Sequence, residues 1–293
     1  MRVPHKFRGL SVALATPLTQ NGHIDFDSWV RFLEFQIQGG VDHLVVCGTT
    51  GESPTITDDE YAQLLEVAIA TANKRVSVVA GSGTNDTRHA IERSRIAEEA
   101  GADGLLVVSP YYNKPPQRGL VAHYTAIADA VDLPIIVYNV PGRTGSNILP
   151  ETVVTMSAHP NIVAIKEASG DMNQILKLLS IVSDDITVLA GDDSMTLPVM
   201  AAGGHGVVSV AANVFPDKMS LLLKTISQGQ WQEASTMVDR MMAFFNYMFI
   251  ESNPIPVKAA LAHHGHMENV LRLPLQPLDQ KYWPELQRMM DEG

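Results

Sequence analysis

A single cysteine, Cys47, is all the thiol the 293 residues carry, so no disulfide can close within the chain and no cysteine-based zinc cluster can form. Basic residues are also in deficit. There are 21 Lys and Arg against 32 Asp and Glu, a formal charge of −11, and this removes the basic stripe that a nucleic-acid partner would require. No apolar run approaches the ~20 residues of a membrane span, so no membrane partner is expected. A GxGxxG turn is missing, and the GTTG at 48–51 lacks the GK[ST] of a phosphate-binding loop. Low-complexity stretches and charged linkers are absent too. At the N-terminus, basic residues precede a short apolar run in the layout of a secretory leader. That run ends at Thr16-Pro17 and reads as a first buried strand instead. The single thiol and the lack of targeting signals lead to the expectation of a cytoplasmic protein.

What remains is 45% hydrophobic and 18% charged, enough for a sizeable core. From residue 9 onward a short apolar run alternates with an amphipathic stretch. The runs fall at 9–15, 42–47, 76–80, 103–108, 133–138, 161–166, 186–190 and 206–210, each continuous as in parallel strands covered on both faces. Helical stretches lie between them, such as 58–73, 86–100 and 171–182, with Thr57 and Asp86 as N-caps and Gly101 as a stop. Ala90, Ile91, Ser94 and Ala97 form the inward face of the second. Eight such units predict an α/β fold, a (β/α)8 TIM barrel. Strand signals then stop, and 217–228, 230–250, 255–264 and 279–291 read as helices. The expected division is a catalytic barrel over 1–227 and a C-terminal helical region over 228–293.

In such a barrel, chemistry collects where strands end. The sixth strand ends in Lys166. Alternation puts Ile162, Ala164 and Lys166 on one face and Val163, Ile165 and Glu167 on the other. If the first set faces inward, low polarity favours the neutral amine that attack on a carbonyl requires; otherwise Lys166 ends the strand and reaches solvent. Tyr138, inward with Ile136 on the fifth strand, places a phenol beside it as a proton shuttle or is simply a core tyrosine. Arg143 follows a Pro-Gly turn, either a fork for a carboxylate or a solvated loop residue. Thr49 and Thr50, bracketed by Gly48 and Gly51, form a cradle for a small carboxylate or a structural turn. Tyr111 and Tyr112 sit on a proline-framed loop, as site hydroxyls or as an interface pair. Asp192-Asp193 reads as a cap on the following helix in preference to a Mg²⁺ pair. The histidines at 263, 264 and 266 lack a neighbouring carboxylate or thiol, so no metal is expected there.

Together, GTTGES at 48–53, SPYYNKP at 109–115, YNVPGRTG at 138–145, IKEASG at 165–170, AGDD at 190–193, GGHGVVSVAANV at 203–214 and NPIPVKAAL at 253–261 resemble the dihydrodipicolinate synthase family. That family belongs to the Schiff-base pyruvate aldolases, alongside N-acetylneuraminate lyase. The resemblance implies that Lys166 forms an imine with pyruvate and that Tyr138 relays protons with Thr49 and Tyr112, the latter coming from a neighbouring subunit. It implies that Thr50 binds the pyruvate carboxylate and Arg143 the carboxylate of aspartate-4-semialdehyde, with Gly191 and Val208 as backbone positions nearby. No cofactor and no metal is implied, and the assembly that the resemblance implies is a homotetramer made of two dimers. Another Schiff-base 2-oxo-acid aldolase or dehydratase, acting on a different aldehyde, is the alternative. Relatives inhibited by lysine carry histidines where this chain has Asp58 and Tyr61, and a glutamate where it has His89. Pro54 also replaces a smaller residue, and only Ser53, Asn85 and Tyr111 fit. Weak or absent lysine inhibition is therefore expected.

Overall fold

The computed structural model describes residues 6–292. Eight parallel strands close into one barrel in sequence order: β1 Gly9–Ala13, β2 His43–Val46, β3 Ser77–Gly81, β4 Gly104–Val108, β5 Ile135–Asn139, β6 Ile162–Glu167, β7 Thr187–Ala190 and β8 Gly206–Ser209. The first apolar run is thus a buried strand, although the basic Arg2 ahead of it lies outside the described residues. Closure requires Gly206 to pair with Gly9, and a Cβ at Gly206 would overlap the Gly9 carbonyl oxygen. Around the barrel run α1 Phe26–Gln38, α2 Asp58–Ala72, α3 Thr87–Ala100, α4 Gln117–Ala128, α5 Pro141–Thr144, α6 Pro150–Met156, α7 Met172–Ile181, α8 Thr196–Ala201 and α9 Pro216–Ser227. Then come α10 Trp231–Tyr247, α11 Ile255–His263 and α12 Trp283–Glu292. No helix among the described residues is long and apolar enough to cross a membrane.

Local chemistry sets the helix ends. Thr57 accepts a bond from the Glu60 amide while Glu60 reaches back, a complete capping box for α2. Asp86 caps α3, and Gly101 ends it in the left-handed region at φ 89°. The α3 face buries Ala90, Ser94 and Ala97 as expected but leaves Ile91 half-buried, and Arg93 is buried in addition, with its guanidinium 4.2 Å from the Tyr61 ring centroid.

The core has two layers. Val45, Val79, Leu106, Ile136, Leu189 and Val208 fill the barrel, whereas Val12, Leu44, Val107 and Ile165 pack outward against the helices. Each such side chain contributes roughly 1.5–3 kcal/mol by leaving water.

The alternation expected along β6 holds only in part. Ile135 pairs with Ile162, but Ile136 pairs with Ala164, so Val163 is an extra residue in the strand. Ile162 consequently packs in the outer layer and Val163 in the inner one, the reverse of strict alternation. Beyond this bulge the expected parity resumes: Ala164 and Tyr138 lie inside, and Ile165 lies outside.

Candidate active site

β6 carries Lys166 to the top of the barrel, opposite Tyr138 on β5. The lysine is 4% exposed, and its ammonium sits 4.2 Å from the centre of the Tyr138 ring. Both border a cavity of about 40 Å³ whose wall also includes Thr49, Thr50, Arg143 and Gly191. Six of the residues expected at the site therefore meet around one small space. A Cβ at Gly191 would overlap that of Ala168, so only glycine lets β7 turn away here.

Two expected residues lie elsewhere. Val208 is fully buried in the barrel interior, and it is Val210 that reaches the cavity wall. Tyr112 does not border the cavity within this chain. Its backbone is left-handed at φ 74° and its side chain is 88% exposed.

The cradle at 48–52 is held from far away in sequence. Thr50 is buried, and its hydroxyl oxygen accepts a 2.9 Å bond from Asn253 Nδ2, which leaves the hydroxyl hydrogen for an anion. Glu52 adopts φ 58°, and its carboxylate accepts from Lys258 Nζ at 2.6 Å and from the Arg272 amide at 2.9 Å. Both side chains of the Glu52–Lys258 pair are essentially out of solvent. Arg143 lies on α5, ended by Gly145 at φ 69°, and its Nη2 donates to the Asn253 carbonyl at 3.3 Å. Asn253 thus touches both the cradle and the fork, a role that sequence pattern did not reveal. Its segment, NPIPVKAAL, carries the family resemblance but no local chemical signal.

The Asp192-Asp193 pair departs from the expected cap. Neither side chain caps the turn that follows it. Asp193 reaches across to the residues just after β8, where Oδ2 accepts from the Val210 and Ala211 amides at 3.0 and 2.9 Å. Asp192 is the half-buried wall of the cavity. Burial pushes its carboxyl above the usual carboxylate range, while the positive charges of Lys166 and Arg143 draw it back down. Among the described residues, no group of three or more His, Cys, Asp or Glu side chains could hold a metal ion. His264 and His266 pack against the Phe215 and Phe35 rings, but the fold does bring a carboxylate to this cluster, contrary to the expectation: Asp291, distant in sequence, lies 3.4 Å from His263. Burial pushes the Cys47 thiol up to about 12, so it stays protonated and is no rival nucleophile.

A second cavity of about 360 Å³ opens beside the first, sharing Gly48, Thr49, Tyr138 and Arg143. Its far wall holds Ser53, Pro54, Asn85, His89 and Tyr111. Tyr61 is fully buried behind it, and Asp58 lies 3.3 Å from His89.

The model of the dihydrodipicolinate synthetase family matches residues 6–292. The chain belongs to that family. The 4-hydroxy-tetrahydrodipicolinate synthase of Citrifermentans bemidjiense is 50% identical to it over 286 residues, covering 98% of each. Among solved structures, the dihydrodipicolinate synthase of Thermotoga maritima is 42% identical with a TM-score of 0.96, over 98% of this chain and 99% of that one. The chloride-inhibited dihydrodipicolinate synthase of Acinetobacter baumannii, solved with pyruvate, is 41% identical with the same TM-score and the same coverage. Membership in the dihydrodipicolinate synthetase family thus covers the barrel and the helices that follow it.

Proposed function

We propose that this chain is a lyase that condenses pyruvate with aspartate-4-semialdehyde to give 4-hydroxy-tetrahydrodipicolinate, toward diaminopimelate and lysine. The observation that carries the reading is a buried Lys166 amine over the Tyr138 ring, faced by a hydroxyl cradle and a guanidinium. Lys166 adds to the pyruvate carbonyl and water is expelled, with Tyr138, Thr49 and the Tyr112 of a neighbouring subunit moving the protons. Thr50 receives the pyruvate carboxylate. The protonated imine acidifies the methyl group, and the resulting enamine carbon bonds to the aldehyde carbon. Arg143 anchors the second carboxylate at the mouth, which orients the aldehyde for attack. The amino group of the second substrate then adds to the imine carbon and expels Lys166, closing the ring. Gly191 and Val208 serve as backbone neighbours of the imine.

The nearly bare Tyr112 on a strained backbone supports its delivery into a second copy, within a homotetramer of two dimers. The cytoplasm as compartment belongs to the same reading and rests on the single thiol. So does the division into a barrel over 1–227 and a helical region from 228, supported by the strands ending at Ser209 and α9 packing on β1. Lysine is expected to inhibit weakly or not at all, since the larger cavity presents His89 where an acidic group would hold its amine; a sub-millimolar inhibition constant would overturn this. The substrate assignment is tested by offering pyruvate with aspartate semialdehyde or with sugar aldehydes. Turnover confined to the former is expected, and a preference for the sugars would contradict it.

A further inference from the structure

Lys166 reaches the cavity only because β6 recovers its register after the bulge at Val163. A slip of one residue would turn every side chain beyond it to the opposite face and send Lys166 outward. The apolar pairs past the bulge, Ile136 with Ala164 and Val137 with Ile165, select register weakly, because such side chains exchange places at little cost.

The next pair on the outer face is different. Asn139 stands directly opposite Glu167, and both are buried behind the catalytic pair. Asn139 Nδ2 donates to the Glu167 carboxylate at 2.9 Å, which also accepts from the Ser169 amide at 2.7 Å and from Gln174 Nε2 at 3.2 Å. Neither residue borders the cavity. A buried carboxylate in an otherwise apolar layer is costly unless fully bonded, and a slipped register would strip its donors. The same asparagine also reaches forward. Its Oδ1 accepts from the Ile148 amide at 2.9 Å, and its Nδ2 donates to Asn147 Oδ1 at 2.8 Å, closing the loop that carries Arg143.

We propose that Asn139 and Glu167 are positioning residues: a register lock on the outer face of the β5–β6 pair that holds Lys166 over Tyr138 and fixes the loop bearing Arg143. The lock rests on the reading of Lys166 as the imine-forming residue. It acts through its neighbours and touches no substrate.

The test compares Glu167→Gln, Asn139→Asp and the double variant, in which the amide and carboxylate exchange places. Glu167→Gln turns one carboxylate oxygen into an NH2 group, which must then face either the Ser169 amide or the Asn139 and Gln174 donors, and Asn139→Asp sets two carboxylates against each other. Each single variant is expected to lose about 100-fold in kcat and in the rate of borohydride trapping with pyruvate, as for a displacement of about an ångström. The KM for pyruvate should barely move, because the cradle at Thr49-Thr50 hangs from Asn253 and Glu52. The double variant restores a donor–acceptor pair and should recover at least about 10-fold of the lost rate, since a re-formed hydrogen bond returns roughly its own free energy. Folded single variants that keep kcat near the wild-type value while only melting earlier would reduce the pair to a structural role and overturn the proposal. So would a double variant no faster than the singles. If Asn139→Asp fails to fold, Glu167→Gln decides alone by the same loss of rate. Wild-type protein that traps no pyruvate would sink the reading of Lys166 and this proposal with it, whereas equal trapping by wild type and variants would sink the lock alone.

Discussion

The two walls of the cavity are built in opposite ways. The inner wall, Lys166 and Tyr138, comes from adjacent strands whose hydrogen-bonded register fixes both side chains. The outer wall is held by contacts between residues more than two hundred positions apart: Thr50 with Asn253 and Glu52 with Lys258. One wall is set by strand geometry and the other by a late helical segment folding back on an early loop. Damage to the inner wall should therefore end the chemistry, while damage to the outer wall should loosen substrates or the fold.

The sharpest break would be Lys166→Ala. A loss of about 10⁴-fold or more in kcat is expected with the fold retained, since no other group can replace the amine; steady-state turnover and far-UV circular dichroism read the two sides. On the other wall, Lys258→Met leaves the Glu52 carboxylate buried without its cation. Stability should fall by about 3–5 kcal/mol, visible in urea melts, and a change within error would mean that the pair does not hold the loop. Arg143→Ala should cost about 100-fold in kcat/KM for the second substrate, the worth of a charge-assisted pair. Pyruvate trapping should persist in that variant, because the imine forms deeper in the cavity. Asn253→Ala removes one neutral bond to Thr50 and should raise the KM for pyruvate about five-fold; an unchanged KM would separate Thr50 from carboxylate binding.

The smallest effect concerns acid. Arg272, through its hydrogen bond and its charge, holds the Glu60 carboxyl well below its ordinary 4.5, at about 2, against the opposing effect of burial. A depressed carboxylate stabilises the fold above its unfolded value and loses that contribution as pH falls through the folded one. The Tm gap between wild type and Glu60→Gln should thus be widest above 4.5 and shrink toward about 2. A gap independent of pH would disconnect this ion pair from stability.

The same contrast explains what the sequence made readable. All eight strands, the Thr57 and Asp86 caps and the Gly101 stop follow from local pattern, and the structure has them within a few residues. The inner wall was readable for that reason: a period of two carries Tyr138 and Lys166 to one face. The bulge at Val163 was not, because an extra residue in an apolar run leaves the run apolar and is defined only by its partner strand. Asp193 misled for a related reason. A carboxylate ahead of a helix suits a local cap, but burial against β8 offered it two amides from another strand end. Asn253 and Lys258 had no local signal, since their partners are joined to them only by the fold.

Borohydride reduction with pyruvate, followed by peptide mapping, bears most directly on the role of Lys166. A single pyruvyl adduct on Lys166, lost in Lys166→Ala and still formed in Arg143→Ala, is the expected result. An adduct on another lysine, or none at all, would contradict it.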